Sequence, residues 1–153
     1  MLKGKTVLLG VTGSIAAYKI ASLASALKKL HADVHVLMTE YSVEHVSLAK
    51  KADVVMLAPA SANVIGKIAH GIADDMLTTT IMACKCKKIV APAMNTNMLE
   101  NPIVQDNIRK LQSYDYEIIE SASGYLACGD TGKGKLPSEQ LLVDYILKNI
   151  NNP

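Results

Sequence analysis

The residues with chemical reach sit in a few short stretches of the chain. Gly13-Ser14-Ile15 opens a helical pattern directly behind an apolar, β-branched run, so its backbone N–H groups and the positive helix end could hold a phosphate. The turn is not the dinucleotide fingerprint, because Gly10-Val11-Thr12-Gly13 lacks the G-x-G-x-x-G spacing. A mononucleotide such as FMN suits it better than NAD, and a purely structural glycine stays an open alternative. His45 falls in the first turn of a helix begun by Ser42, where the dipole disfavours imidazolium and keeps a neutral base available. On the residues alone a capping or packing role is the safer reading of His45.

Residues 129–135 read G-x-x-x-x-G-K, the front of a P-loop, but Leu136 and Pro137 stand where Ser or Thr would be needed for magnesium. Glycines in a long loop, with Leu126-Ala127-Cys128 just before them, fit an active-site flap better. Cys84 and Cys86 flank Lys85 without a second pair at metal-ligand spacing, which favours a structural role and no metal. His31, His35 and His70 show no partner pattern and read as surface residues.

The elements that must position these residues follow from periodicity. Strands are expected at 6–11, 33–38, 53–58, 88–91 and 116–119, with helices at 15–30, 43–51, 62–83, 102–113 and 139–150. Asn101 before Pro102 and Ser138 before Glu139 are good helix starts. Val54-Val55-Met56-Leu57 is apolar on both faces, which implies helices on both sides and a parallel sheet. The expected fold is therefore a doubly wound α/β sheet, with function sought in the loops beyond the carboxyl ends of its strands. Those loops are 12–14, 39–40, 59–63, 92–95 and the long stretch 121–137.

Composition narrows the function classes. The chain of 153 residues suits one α/β domain, and 50% hydrophobic residues exclude a disordered chain. Without Trp or Phe there are no large stacking platforms for nucleic acid, and the net charge of +2 has no basic block behind it. Apolar stretches end well short of a bilayer span, and residues 1–5 do not read as a secretory leader, so a cytoplasmic location is expected. Three cysteines, an odd count, fit a reducing compartment.

Five motifs in order resemble the homo-oligomeric flavin-containing cysteine decarboxylases, and within them the branch acting on phosphopantothenoylcysteine. They are V-T-G-S-I-A-A-Y-K at 11–19, E-H-V-S-L-A-K at 44–50, A-P-A-S-A-N at 58–63, A-P-A-M-N-T-N-M at 91–98 and L-A-C-G-D at 126–130. The resemblance covers nearly the whole chain and implies a single Rossmann-like, flavodoxin-like domain over 1–153. It also implies FMN-dependent decarboxylation of phosphopantothenoylcysteine to phosphopantetheine in coenzyme A biosynthesis, by a homotrimer or a dodecamer of trimers. By motif, Gly13, Ser14 and Ile15 would hold the FMN phosphate, and Thr39, Ser61, Ala62, Asn63, Val64 and Ala93 would line the flavin site. His45 and Cys128 would be catalytic, Cys128 as proton donor, while Asn95 and Met94 would bind substrate.

The implied chemistry has a physical basis. Direct loss of carbon dioxide from a cysteinyl carboxylate leaves a carbanion with no electron sink, so a cofactor must create one. Oxidation of CH₂–SH to a thioaldehyde lets sulfur take the charge as an enethiolate, which is then reduced and protonated. Decarboxylation of a peptide's C-terminal cysteine, or a non-catalytic flavin-binding regulatory subunit, are the alternatives. A flavodoxin-like electron carrier and a flavin prenyltransferase fit these motifs less well. One departure stands out: only residues 40–43 separate Thr39 from Glu44, far fewer than in the family, which points to a missing connecting segment.

Overall fold

The computed structural model describes residues 1–38, 45–125 and 131–151, with His45 described in its backbone alone. Five strands form a parallel sheet: β1 (Thr6–Gly10), β2 (Asp33–Leu37), β3 (Val54–Ala60), β4 (Lys87–Pro92) and β5 (Glu117–Ile118), in the order β2-β1-β3-β4-β5. The helices are α1 (Lys19–Lys29), α2 (His45–Lys51), α3 (Ala62–Ala69), α4 (Met76–Ala83), α5 (Thr96–Leu99), α6 (Pro102–Ser113) and α7 (Glu139–Asn151). A 3-10 turn, Ile15–Tyr18, leads into α1.

Alternation along the central strands divides the interior into two layers, because successive side chains of a strand point to opposite faces. Val7, Leu9, Val54, Met56, Ile89 and Ala91 pack with Ile20, Leu23 and Leu27 of α1 and Leu142, Val143 and Ile146 of α7. Leu8, Val55, Leu57 and Val90 pack instead with α2, α3, α4 and α6, through residues such as Leu48, Ile65, Leu77 and Leu111. Each such aliphatic side chain, fully withdrawn from water, contributes about 1.5–3 kcal/mol. β3 is buried along its whole length, as the apolar run at 54–57 requires.

The expected helix at 62–83 is two helices. Gly71 adopts φ +71° after His70 closes α3, and Ile72 N–H donates to Lys67 O at 2.9 Å. Asp75 then starts α4 with a capping box: its carboxylate accepts from Thr78 N–H at 2.8 Å while Thr78 Oγ1 accepts from Asp75 N–H at 3.2 Å. A positive φ and an extended Asp75 cannot belong to one continuous helix, so tertiary punctuation overrides the long apolar period here. The stretch 121–137, expected as a loop, contains an antiparallel hairpin of β6 (Ala122–Tyr125) and β7 (Thr131–Lys135). Thr131–Lys135 being a strand also agrees with rejecting the P-loop reading. Asn101 and Ser138 do sit at helix starts: Asn101 Oδ1 accepts from Ile103 N–H at 2.9 Å, and Ser138 Oγ from Leu141 N–H at 3.3 Å.

Ion pairs gather at the amino ends of the strands. Lys5 meets Asp53 at 3.1 Å, Lys87 meets Asp115 at 2.7 Å and Lys148 meets Glu117 at 2.6 Å. Asp53 also accepts from Thr6 N–H at 2.7 Å, tying the starts of β1 and β3 together. His35 lies 3.0 Å from Asp33 and His70 Nδ1 lies 2.9 Å from Gly66 O. No helix among the described residues is long and apolar enough to cross a membrane.

Candidate active site

The sheet order sends the chain in opposite directions from β1 and β3, since β2 lies on one side of β1 and β4 beyond β3. The loops that follow these two strands therefore part, and a crevice opens at the carboxyl end of the sheet. A cleft of about 590 Å³ occupies that position, within the roughly 300–1,000 Å³ usual for small-molecule sites.

Three loops form its walls. After β1, Ser14 caps the 3-10 turn, its Oγ accepting from Ala16 N–H at 3.2 Å, and Gly13, Ser14 and Ile15 face the cleft. A Cβ added at Gly13 would meet no protein atom within 4 Å, so the wall there is open. After β3, Ser61 caps α3 by accepting from Val64 N–H at 3.4 Å, and Ser61 and Ala62 line the cleft. After β4, Ala93, Met94 and Asn95 complete it, with Asn95 Oδ1 capping α5 by accepting from Asn97 N–H at 2.9 Å.

Thr12 ties the first two loops together. Its buried hydroxyl donates to Pro59 O at 2.8 Å and accepts from Ser61 N–H at 3.1 Å. The hairpin ties down the third: Met94 N–H donates to Gly134 O at 3.0 Å, and Thr96 Oγ1 donates to Lys133 O at 2.7 Å. Gly134 has φ +122°, and a Cβ there would lie 2.0 Å from Met94 O, so only glycine allows this approach. Ser121 Oγ adds a bond to Pro92 O at 2.7 Å.

The structure thus brings together Gly13, Ser14, Ile15, Ser61, Ala62, Ala93, Met94 and Asn95. Asn63 is exposed and Val64 is buried in the core, and neither is on the cleft wall. Thr39 and Cys128 lie outside the described residues, as does the side chain of His45, whose backbone begins α2. Sequence reasoning missed Thr12, Gly134 and the lysines. Lys19 and Lys135 face the cleft, and no acidic side chain does among the described residues, so the wall favours an anionic ligand. Ile15, Tyr18 and Tyr125 are 75%, 72% and 71% exposed around it, apolar surface at the mouth of a crevice. Thr12 was readable as a polar residue at the end of an apolar strand, but its partners were not.

Comparison with known proteins places this geometry. Residues 1–44 and 40–151 match the family described as Flavoprotein. A probable phosphopantothenoylcysteine decarboxylase of Streptococcus mutans is 41% identical over 173 aligned positions, covering 93% of this chain and 97% of that protein. The coenzyme A biosynthesis bifunctional protein CoaBC of Bacillus subtilis is also 41% identical, over 94% of this chain, but the chain spans only 42% of its length. Among solved structures, a cysteine-to-serine mutant of a PPC decarboxylase complexed with pantothenoylaminoethenethiol superposes with a TM-score of 0.86 at 28% identity, covering 95% of this chain and 98% of that one. SpaF, an FMN-dependent cysteine decarboxylase, gives 0.82 at 28% identity with 99% of each chain covered. The alignment of 173 positions exceeds the 153 residues of the chain, and the two family segments meet at 40–44, where the sequence shows the shortened connection. On the strength of that match along nearly its full length, together with a shared parallel sheet, the chain belongs to the Flavoprotein family.

Proposed function

We propose that this chain is an FMN-dependent decarboxylase that converts phosphopantothenoylcysteine to phosphopantetheine in coenzyme A biosynthesis. The observation that carries the reading is the convergence of Gly13–Ile15, Ser61–Ala62 and Ala93–Asn95 on one cleft at the reversal point of the sheet. The names of its relatives, a probable phosphopantothenoylcysteine decarboxylase among them, support the same substrate.

The cleft fits FMN on its own features. The capped turn at Ser14, with Lys19 close by in the wall, suits a phosphate, and Ala16, Ala62 and Ala93 leave width for a flat ring. Gly13, Ser14 and Ile15 would hold the phosphate, and Ser61, Ala62 and Ala93 would border the ring, with Asn63 and Val64 supporting from α3. Thr39, which follows β2 in the sequence, would contact the flavin. Bound flavin supplies a reversible hydride acceptor, which creates the electron sink that a cysteinyl carboxylate lacks.

The chain's own residues bind and orient around that sink. Asn95, held by its cap at the start of α5, would donate from its side-chain amide to the substrate carboxylate, with Met94 packing beside it. His45 would act as the active-site base. Cys128 would supply the final proton, for which an unperturbed thiol of pKa about 8.5 is a workable donor near neutral pH. The apolar rim of Ile15, Tyr18 and Tyr125 suits cover by a neighbouring copy, in keeping with a homotrimer or a dodecamer of trimers in the cytoplasm.

The test is to purify the protein, record a flavin spectrum with FMN titrated in, and follow loss of carbon dioxide from phosphopantothenoylcysteine by mass. A yellow protein that turns over this substrate, and not a peptide ending in cysteine, is expected. Preference for the peptide would move the chain to peptidyl-cysteine decarboxylation. Bound flavin without turnover of either would leave a regulatory subunit, and a colourless protein that refuses FMN would overturn the reading.

A further inference from the structure

A second chemical centre lies at the opposite end of the sheet. Cys84 closes α4, is only 5% exposed, and donates its backbone N–H to Thr80 O at 3.0 Å. Cys86 follows two residues later, just before β4, is half-buried, and faces a cleft of about 1170 Å³. The two thiols are free, and Cys86 packs against the buried cluster that holds Cys84. Residues two apart have Cα atoms at most about 7 Å from each other, at the upper edge of the span that an S–S bond bridges.

The surroundings favour a thiolate over a metal. Lys85 and Lys88 line the cleft beside Cys86, and Lys88 reaches the Cys86 carbonyl at 3.3 Å while stacking over Tyr116 at 5.5 Å. The acidic groups on the same wall, Asp53, Asp115 and Glu117, each hold a lysine. Among the described residues no group of three or more His, Cys, Asp or Glu side chains could hold a metal ion. The neighbouring Cys84 thiol holds the Cys86 thiol below its ordinary value, burial works against this, and Lys88 assists. The same contact, with burial, pushes the Cys84 thiol up. Asp53 opposes the effect at Cys86 as the weakest influence.

We propose that Cys84 and Cys86 form a peroxide-sensitive thiol pair that closes to an intrachain disulfide, a modification site separate from the flavin cleft. Cys86 sulfur attacks one oxygen of hydrogen peroxide, forming an S–O bond as the O–O bond breaks and hydroxide leaves. Once Cys86 is a neutral sulfenic acid, the anion that held the Cys84 proton is gone, and that proton passes to the hydroxide as water. Cys84 sulfur then attacks Cys86 sulfur, the S–S bond forms and the S–O bond breaks, and the departing hydroxide takes up from solvent the proton that Cys86 released on ionising, giving a second water. Two thiols are oxidised by two electrons and one peroxide is reduced to two waters. Thiolate character together with access selects Cys86 as the attacking sulfur.

The site is tested on the reduced full-length protein. Limiting iodoacetamide at neutral pH should alkylate Cys86 at least about tenfold faster than Cys84, read by peptide mapping. One equivalent of hydrogen peroxide should give a product lighter by two hydrogens, mapped as a Cys84–Cys86 disulfide and reversed by dithiothreitol. Cys84→Ser should stop at a Cys86 sulfenic acid trapped by dimedone, and Cys86→Ser should yield neither product. Equal alkylation rates, continued alkylation of both thiols after peroxide, or a bond made between chains or to Cys128 would each overturn the proposal. The wild-type mapping decides the matter even if a variant fails to fold.

Discussion

The two ends of the parallel sheet offer two clefts, and the larger one is not where the family's motifs lie. At the amino ends, about 1170 Å³ of space is walled by Lys5–Asp53, Lys87–Asp115 and Lys148–Glu117. The three carboxylates there each hold a lysine, and such partly exposed pairs contribute little to stability. At the carboxyl ends, about 590 Å³ is walled by capped turns, small residues and apolar rims, with Lys19 and Lys135 unopposed by any acidic side chain among the described wall residues. The difference teaches that cavity size is a poor guide in this fold. What distinguishes the carboxyl end is loops that diverge from β1 and β3 and are then tied to each other by hydrogen bonds.

If those ties define the site, breaking them should matter more than breaking the rear ion pairs. Gly134→Ala should have the largest effect, since its Cβ would collide with Met94 O and push the hairpin off the Met94–Asn95 loop. Decarboxylation should fall on the order of 100-fold, as expected for displaced positioning groups, with kcat measured at saturating substrate. Lys87→Met at the rear should leave kcat near wild type; an equal loss in both variants would erase the contrast between the two ends.

Thr12→Val should come next. It removes the donor to Pro59 O and the acceptor for Ser61 N–H in a buried site, costing about 1–3 kcal/mol in urea unfolding. Thr12→Ser should restore most of that stability, and the flavin dissociation constant should follow the same order. A stable Thr12→Val with unchanged flavin affinity would remove this cross-link from the account.

The smallest effect belongs to the rear pairs and is a matter of pH. Burial of the Glu117 carboxyl works against its ionisation, but Lys148, Asn149 and the charge of Lys87 together hold the carboxyl below its ordinary value. A carboxyl depressed in the folded state contributes stability above its unfolded value and loses it as pH falls through its folded value. Glu117→Gln should therefore lower the neutral urea midpoint slightly, toward its acid value, and so flatten the acid limb of a plot of midpoint against pH. An unaltered acid limb would mean that this pair has no energetic part in the fold.

Much of this architecture was legible because local chemistry and tertiary need agreed. The doubly apolar run at 54–57 demanded helices on both faces, and the helix starts at Asn101 and Ser138 carried their own caps. Where the reading failed, a local signal was outweighed. A continuous apolar pattern over 62–83 hid the break at Gly71 and the Asp75–Thr78 capping box. Glycines over 129–134 suggested a loop, yet β7 carries Gly134 at the register shift of its ladder, where Met94 O leaves no space for a Cβ. Thr12 and Lys135 were passed over because their value depends on groups far away in the chain.

By itself the sequence determined the class of fold, the loops in which to look and the five motifs of the family, since periodicity, turn chemistry and residue order are properties of neighbours along the chain. Only the tertiary structure decided which loops meet. The order β2-β1-β3-β4-β5 opens the crevice between the first two of them, and the hairpin at 122–135 is pinned to the third. Hydrogen bonds such as that from Thr12 to Pro59 join residues 47 positions apart, and no local pattern encodes such a partner.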